Sequence, residues 1–221
     1  MTGLLRTAVL WDRATFLAID HTARCRLLDI VMPRLTDLGL GHVQVLAILG
    51  AAVVCGVAAG EVRLRGLGRS AWRAITTRRG WVVPLIVAFA LSGLATTSLK
   101  KVPRERPWWF YELRHARGVD LDVKVATVPG VYPLKVRGFP SGHTCTAAAI
   151  AAAATLIFWR ERRGKIAIAV LWLLTLLIGW SRMYLASHWP LDVLGGLAIG
   201  TAGGLVAVWF CGRVGWRTSG G

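Results

Sequence analysis

Residues Ile166–Gly212 run IAIAVLWLLTLLIGW, then SRMYLASHWPLD, then VLGGLAIGTAGGLVAVWFCG, and this alternation decides the fold. Two stretches free of Asp, Glu, Lys and Arg, Ile166–Ser181 and Val193–Gly212, flank a short segment that carries Arg182, His188 and Asp192. At about 1.5 Å of rise per helical residue, ~20 apolar residues cross the ~30 Å hydrocarbon layer of a bilayer. Val193–Gly212 meets that length. Ile166–Ser181 falls short, but Lys165 and Arg182 at its ends can snorkel to the interfaces and complete a span. Two spans joined by a polar connection are expected, with reactive side chains held at one membrane boundary.

Three further stretches of the same kind, Leu38–Gly60, Gly80–Leu99 and Gly138–Trp159, bring the expected spans to five. The whole composition agrees: 55% of the 221 residues are hydrophobic, only 17% are charged, and mean hydropathy is +0.54. A soluble domain of that balance has too little polar surface to cover itself. The net charge of +16 and pI near 11.3 also fit a nucleic-acid binder, but no binding motif accompanies them. The basic residues are instead bunched between the apolar stretches, as positive-inside topology requires. Arg63, Arg65, Arg69, Arg73, Arg78 and Arg79 form one bunch, and the run from Arg160 to Lys165 forms another. Both belong in the cytoplasm, as does the tail with Arg213 and Arg217, which puts Lys100–Arg137 and Arg182–Asp192 together on the other side.

Residues 1–37 mix apolar groups with nine charged ones, Asp12, Asp20 and Arg24 among them, and are too polar to span. An amphipathic helix, or a pair, lying in the interface is expected, with a sixth span as the alternative. The fold class is thus an all-α, polytopic membrane helical bundle: five spans within 38–221 behind an N-terminal interfacial segment, 1–37. No signal-peptide cleavage site is evident. Cys25, Cys55, Cys145 and Cys211 have no paired or metal-ligand spacing. Gly196, Gly200 and Gly204 form a stripe for close helix packing, with Asp192 one turn earlier on it. Trp108-Trp109-Phe110-Tyr111 is read as an interfacial aromatic anchor in preference to a lid.

Three clusters carry chemistry, and all fall on the non-cytoplasmic side. The first, Lys100-Lys101-Val102-Pro103-Arg104-Glu105-Arg106-Pro107, reads as an interfacial anchor or as a site for a multiply charged oxyanion. The second, Phe139-Pro140-Ser141-Gly142-His143-Thr144, opens a span. Ser141 suits an N-cap, Gly142 admits a ligand close to the backbone, and the free N–H groups of a helix start bind phosphate. His143 at the mouth of an apolar helix suits acid–base work. In the third, Ser181–Asp192, Pro190 suits the first position of a helix, leaving Asp192 in its first turn. From there the carboxylate can reach His188, fix its tautomer and raise the nucleophilicity of its other nitrogen.

The order basic segment, Pro-Ser-Gly-His, then Ser-Arg-x5-His-x3-Asp resembles the type 2 phosphatidic acid phosphatase (PAP2) superfamily, over Lys100 to Asp192 and the helices around them. The resemblance implies that His188 is the nucleophile, forming a phosphohistidine, that Asp192 orients it, and that His143 protonates the leaving alkoxide. It places Arg106, Arg182, Ser141 and the Gly142 backbone in a phosphate cradle. The family pattern Lys-x6-Arg-Pro is one residue longer than the spacing from Lys100 to Arg106-Pro107, and Leu99 holds the matching place. Lys100 is therefore the candidate ligand, with Lys101 as its alternative.

Elementary chemistry asks for the same parts. Phosphoryl transfer needs charge neutralisation, a nucleophile and a leaving-group acid. No carboxylate or histidine cluster has metal-ligand spacing, so no metal and no other cofactor is expected. The expected partners are the bilayer and a lipid phosphate, undecaprenyl diphosphate first, then phosphatidic acid or phosphatidylglycerol phosphate. The vanadate-dependent haloperoxidases share the resemblance but are soluble. A non-catalytic anion binder or lipid transporter has no need of a nucleophile.

Overall fold

The computed structural model describes residues 3–62, 67–101, 103–118, 125 and 134–215, which form helices and no strand. Arg63, Arg65 and Arg217, and most of the 108–136 connection beyond residue 118, lie outside the described residues. In chain order the helices are α1 (Gly3–Thr22), α2 (Arg26–Asp37), α3 (Gly41–Ala58), α4 (Leu67–Thr77), α5 (Arg79–Leu99), α6 (Pro107–Ala116), α7 (Gly142–Phe158), α8 (Arg162–Tyr184) and α9 (Pro190–Arg213).

Helices α3, α5, α8 and α9 are each long and apolar enough to cross a membrane. The fifth apolar stretch is α7, a 17-residue helix of about 26 Å. Four residues of the expected span, Gly138–Ser141, are spent on the loop and N-cap before it. The fourth stretch moved the other way: α8 takes in Arg162, Arg163, Lys165 and Arg182 and reaches 23 residues. Counting only uncharged residues truncated it, because charges at helix ends extend to the interface.

α7 is the axis of the bundle, in contact with α3, α5, α8 and α9. Its side chains from Thr144 to Ala154 are buried, most of them alanine methyls, so four neighbours close in on a thin rod. α9 approaches closest, through the glycine stripe. A Cβ on Gly196 would sit 2.7 Å from the Ser141 carbonyl oxygen, and one on Gly200 or Gly204 would run into the carbonyls of Cys145 or Ala149. On the other side Ile48 and Ala52 of α3 and Val82, Leu85 and Ala88 of α5 join Ala149 and Ala153 in the main core.

The first two helices fold across one end of this bundle. Asp12 meets Leu191, Phe16 packs edge-on to Trp189, Arg24 bonds the Tyr184 carbonyl, Met32 touches Tyr184 and Leu185, and Thr36 meets Arg182. Every one of these partners lies where α8 ends and α9 begins. Leu4, Leu5, Leu10 and Trp11 are left exposed, as a helix pair lying in an interface leaves its apolar face. The aromatic run of α6 splits in two. Phe110 and Tyr111 are buried against Phe16, Ala186 and Trp189, so half of the expected anchor is core.

Candidate active site

The ends of α5, α7, α8 and α9 that carry the three clusters meet beneath α1 and α2, and backbone hydrogen bonds stitch them together. Arg106 N–H donates to the Lys135 carbonyl, Gly138 N–H to Arg104, Trp108 N–H to Ala186, and Ser141 N–H to Asp192, at 3.0, 3.0, 3.3 and 2.9 Å. Trp189 Nε1 donates to the Glu105 carbonyl at 2.8 Å. The basic segment, the Pro-Ser-Gly-His segment and the His–Asp segment thus form one rigid unit.

His188 is placed by the way α8 stops. Ser187 N–H bonds the Arg182 carbonyl at 3.0 Å and Ala186 N–H bonds Met183 at 2.9 Å, while Ala186 holds a left-handed φ of +51°. This is a Schellman turn with alanine in the position that usually takes glycine. It reverses the chain within three residues and drops His188 inside, only 2% exposed. Pro190 then opens α9 as expected, with Asp192 in its first turn, completely buried.

The direct hydrogen bond expected between Asp192 and His188 is not formed. Asp192 Oδ2 lies 3.6 Å from His188 Nδ1, beyond hydrogen-bond reach, and accepts the Trp189 N–H at 2.9 Å instead. Oδ1 faces Arg104 Nε at 2.8 Å, an ion pair whose N–H is not aligned as a hydrogen bond. Catalytic contacts are often long before substrate binds, and here the carboxylate already has a donor in the Trp189 N–H and an ion-pair partner in Arg104.

Three cations surround the imidazoles. The charges of Arg182, Arg106 and Lys100 act on His188, and the same three, with His188 itself, act on His143. Burial first and those cations second hold the His188 pKa well below the usual imidazole value, against a smaller opposing effect of the Gly138 backbone. The ring is therefore neutral near pH 7, with a lone pair available for attack. Lys100 is half-buried, and a Cβ on Gly142 would sit 3.5 Å from its Nζ, whereas Lys101 is exposed. Burial, then Arg106 and Arg182, lower the Lys100 pKa. Of the two lysines, only Lys100 belongs to the cluster.

The two arginines differ in what they leave free. Arg106 is buried, and its guanidinium donates to the carbonyls of Val136, Ser187 and Arg137 at 3.2, 3.1 and 3.5 Å. It pins two loops together while contributing charge. Arg182 gives Nη1 to the Thr36 hydroxyl at 3.0 Å, and its buried Nε has no partner among the described residues. A buried cationic donor of that kind is costly unless an acceptor satisfies it. Ser141 occupies the N-cap of α7, but its hydroxyl pairs with Thr144 Oγ1 at 3.0 Å and caps no backbone N–H. The amides of the α7 start are thereby left to another acceptor.

Four neighbours of the site were not singled out from sequence. Asp12 and Arg104 hold Asp192 from behind, Thr36 meets Arg182, and Gly39 lies so close that its Cβ would be 2.7 Å from His143. Arg104 stood in the basic segment without a role. Asp12 and Thr36 sit in the N-terminal segment and Gly39 just after it, where no local pattern links them to partners so distant in sequence.

The sequence model of the PAP2 superfamily matches residues 81–216. A lipid A 1-phosphatase of Rhizobium johnstonii is 32% identical over 143 residues, 60% of this chain and 52% of that protein. A putative undecaprenyl-diphosphatase of Escherichia coli, YbjG, is 31% identical over 137 residues, 60% of this chain and 58% of that one. The chain thus spans little more than half the length of these relatives. The crystal structure of Aquifex aeolicus LpxE superposes with a TM-score of 0.60 at 27% identity, over 89% of this chain and 93% of that one. With its three motifs folded into one cationic site within a membrane bundle, the chain belongs to the PAP2 superfamily.

Proposed function

We propose that this protein is an integral membrane phosphatase that hydrolyses a lipid phosphomonoester or diphosphate through a phosphohistidine on His188. The observation that carries this is His188, 2% exposed and 3.6 Å from the Asp192 carboxylate, gathered with His143 and the cations Lys100, Arg106 and Arg182. Lys100 Nζ lies 3.5 Å from where a Cβ on Gly142, beside His143, would stand. A simple anion site has no use for a neutral, buried imidazole beside a carboxylate.

In this reading the phosphate is held by Lys100, Arg106, Arg182, Ser141 and the Gly142 backbone at the start of α7. His188 attacks phosphorus, and Asp192 stabilises the imidazolium-like charge that develops on the ring. With the negative charge of bound phosphate offsetting the cations, His143 carries a proton, donates it to the departing lipid oxygen, then takes one from the water that cleaves the phosphohistidine. The cations neutralise charge on the equatorial oxygens without a metal. The lipid tail lies among the helices, and the site opens on the non-cytoplasmic side. Undecaprenyl diphosphate is the first substrate, supported by the name of the YbjG relative, followed by phosphatidic acid and phosphatidylglycerol phosphate.

The test is phosphate release from a panel of these three lipids and lipid A by purified protein, with a rapid quench of labelled substrate. Acid-labile, base-stable label should form on the wild type and on no His188→Ala sample. Near wild-type hydrolysis by His188→Ala, or label on serine, sinks the mechanism. Turnover should survive a strong chelator, and full loss with EDTA that a divalent ion restores would mean a metal does the neutralising.

A further inference from the structure

Asp12 sits on α1, far in sequence from every motif residue, yet it is only 4% exposed and both its oxygens are committed. Oδ2 pairs with Arg104 Nη2 at 2.5 Å, and Oδ1 accepts the N–H of Leu191 at 2.8 Å. Leu191 is in the first turn of α9, one residue before Asp192. Arg104, in turn, faces Asp192 Oδ1 through Nε at 2.8 Å. One guanidinium is therefore shared between a carboxylate of α1 and a carboxylate of α9. Phe16, one turn further along α1, packs edge-on against Trp189 with ring centroids 5.3 Å apart, which fixes the helix over this point.

We propose that Asp12 is a positioning residue for the nucleophile: by holding Arg104 and the first turn of α9 it sets where the Asp192 carboxylate lies beside His188. This rests on the reading of His188 as nucleophile and Asp192 as its orienting partner. The competition is geometric. Asp192 Oδ1 lies 2.8 Å from Arg104 Nε while Oδ2 lies 3.6 Å from His188 Nδ1, so the pull of Arg104 on one oxygen sets how far the other stands from the ring, and whatever draws Arg104 away favours the histidine. Asp12 is the group that does so. Without its charge, the guanidinium has one carboxylate left, and Asp192 is held off the imidazole.

Asp12→Asn separates the two contacts, since the amide oxygen still accepts from Leu191 while the charge on Arg104 is lost. With the full chain in detergent and the best lipid of the panel, kcat should fall about ten- to a hundredfold, as for a small misplacement of a reacting group, with KM nearly unchanged. The acid limb of kcat/KM should also move. The charged groups around His188 are Lys100, Arg106 and Arg182, with His143 across the site and Asp192, Arg104 and Asp12 behind it. Removing one negative charge from that set destabilises the protonated ring, so the limb moves to lower pH. Arg104→Gln removes the competing cation, leaves Asp192 to the histidine, and should keep kcat while moving the limb to higher pH. In an Asp192→Asn background Asp12→Asn should cost only about threefold or less, since the carboxylate it positions is gone.

A helix-docking role alone multiplies in full with Asp192→Asn. That result, or wild-type kcat in Asp12→Asn, overturns the proposal. If Asp12→Asn does not fold, judged by thermal unfolding, Arg104→Gln decides alone, and a tenfold or larger loss of kcat there, or a limb that moves to lower pH, overturns it equally. His188→Ala run alongside separates the failures. Retained turnover in that variant removes the phosphohistidine reading and this proposal with it, whereas a dead His188→Ala beside a wild-type Asp12→Asn removes only this one.

Discussion

At the scale of single residues, the cations around His188 do two jobs that pull in one direction. In the proposed mechanism they prepare a place for phosphate charge, and they keep the His188 ring unprotonated, because burial and then Arg182, Arg106 and Lys100 depress its pKa. Lys100→Met removes one of those charges and therefore stabilises the imidazolium. The acid limb of kcat/KM should move to higher pH, and a limb that stays put or moves down would show that Lys100 does not reach the ring. The same substitution should lower turnover by about two to three decades, the usual cost of a charge-assisted contact that tightens in the transition state. Lys101→Met should leave rate and limb alone, because Lys101 is exposed while Lys100 faces Gly142. Equal, mild losses from both would reduce the segment to an interfacial anchor. Spacing alone left the choice between these lysines open; which one turns inward is decided by how α5 ends, and that depends on packing.

At the scale of helices, the site depends on how closely α9 lies against α7, since Asp192 and Ser141 are joined by a backbone hydrogen bond between the two starts. The glycine stripe makes that approach possible. Gly200→Ala should destabilise the protein by at least about 2–3 kcal/mol, the range of an overpacked core, because the added methyl meets the backbone carbonyl of Cys145, which cannot move aside. Gly50→Ala is the matched control on a spanning helix, with nothing within 4 Å of the new Cβ. Thermal unfolding in detergent compares the two, and equal midpoints would mean that α7 and α9 have slack. The stripe was legible from its spacing of four, as was the N-terminal proline of α9. The turn that ends α8 was not. Glycine or asparagine announces a left-handed C′ position, and here Ala186 takes it with φ +51°. The aromatic run of α6 misled for a related reason: Phe110 and Tyr111 look like interface residues until α1 covers them.

At the scale of the whole molecule, the five apolar stretches announced the bundle, and their charge kept the N-terminal helices out of the list of spans. What stayed hidden is that this pair and the turn after it close the site, through Asp12, Thr36 and Gly39, because contacts between residues 92 and 146 positions apart leave no periodic trace. The remaining question is which side of the membrane that end faces. α3, α7 and α9 start at it and α5 and α8 finish at it, so every catalytic candidate shares one side with Lys101, while Arg162 at the start of α8 marks the other. The basic bunches predict that Arg162 is cytoplasmic, but the site end is itself rich in Lys and Arg, and the rule is blind to charges retained for substrate. Single cysteines settle it. In a background with Cys25, Cys55, Cys145 and Cys211 replaced, Lys101→Cys and Arg162→Cys both place a thiol on an exposed position. A membrane-impermeant maleimide applied to intact cells should label Lys101→Cys and reach Arg162→Cys only after lysis. Phosphate release by both variants confirms that each remains folded, since neither residue touches the site. The opposite pattern would put the phosphatase chemistry on the cytoplasmic face, and the preferred substrate would then have to be a lipid phosphate presented there.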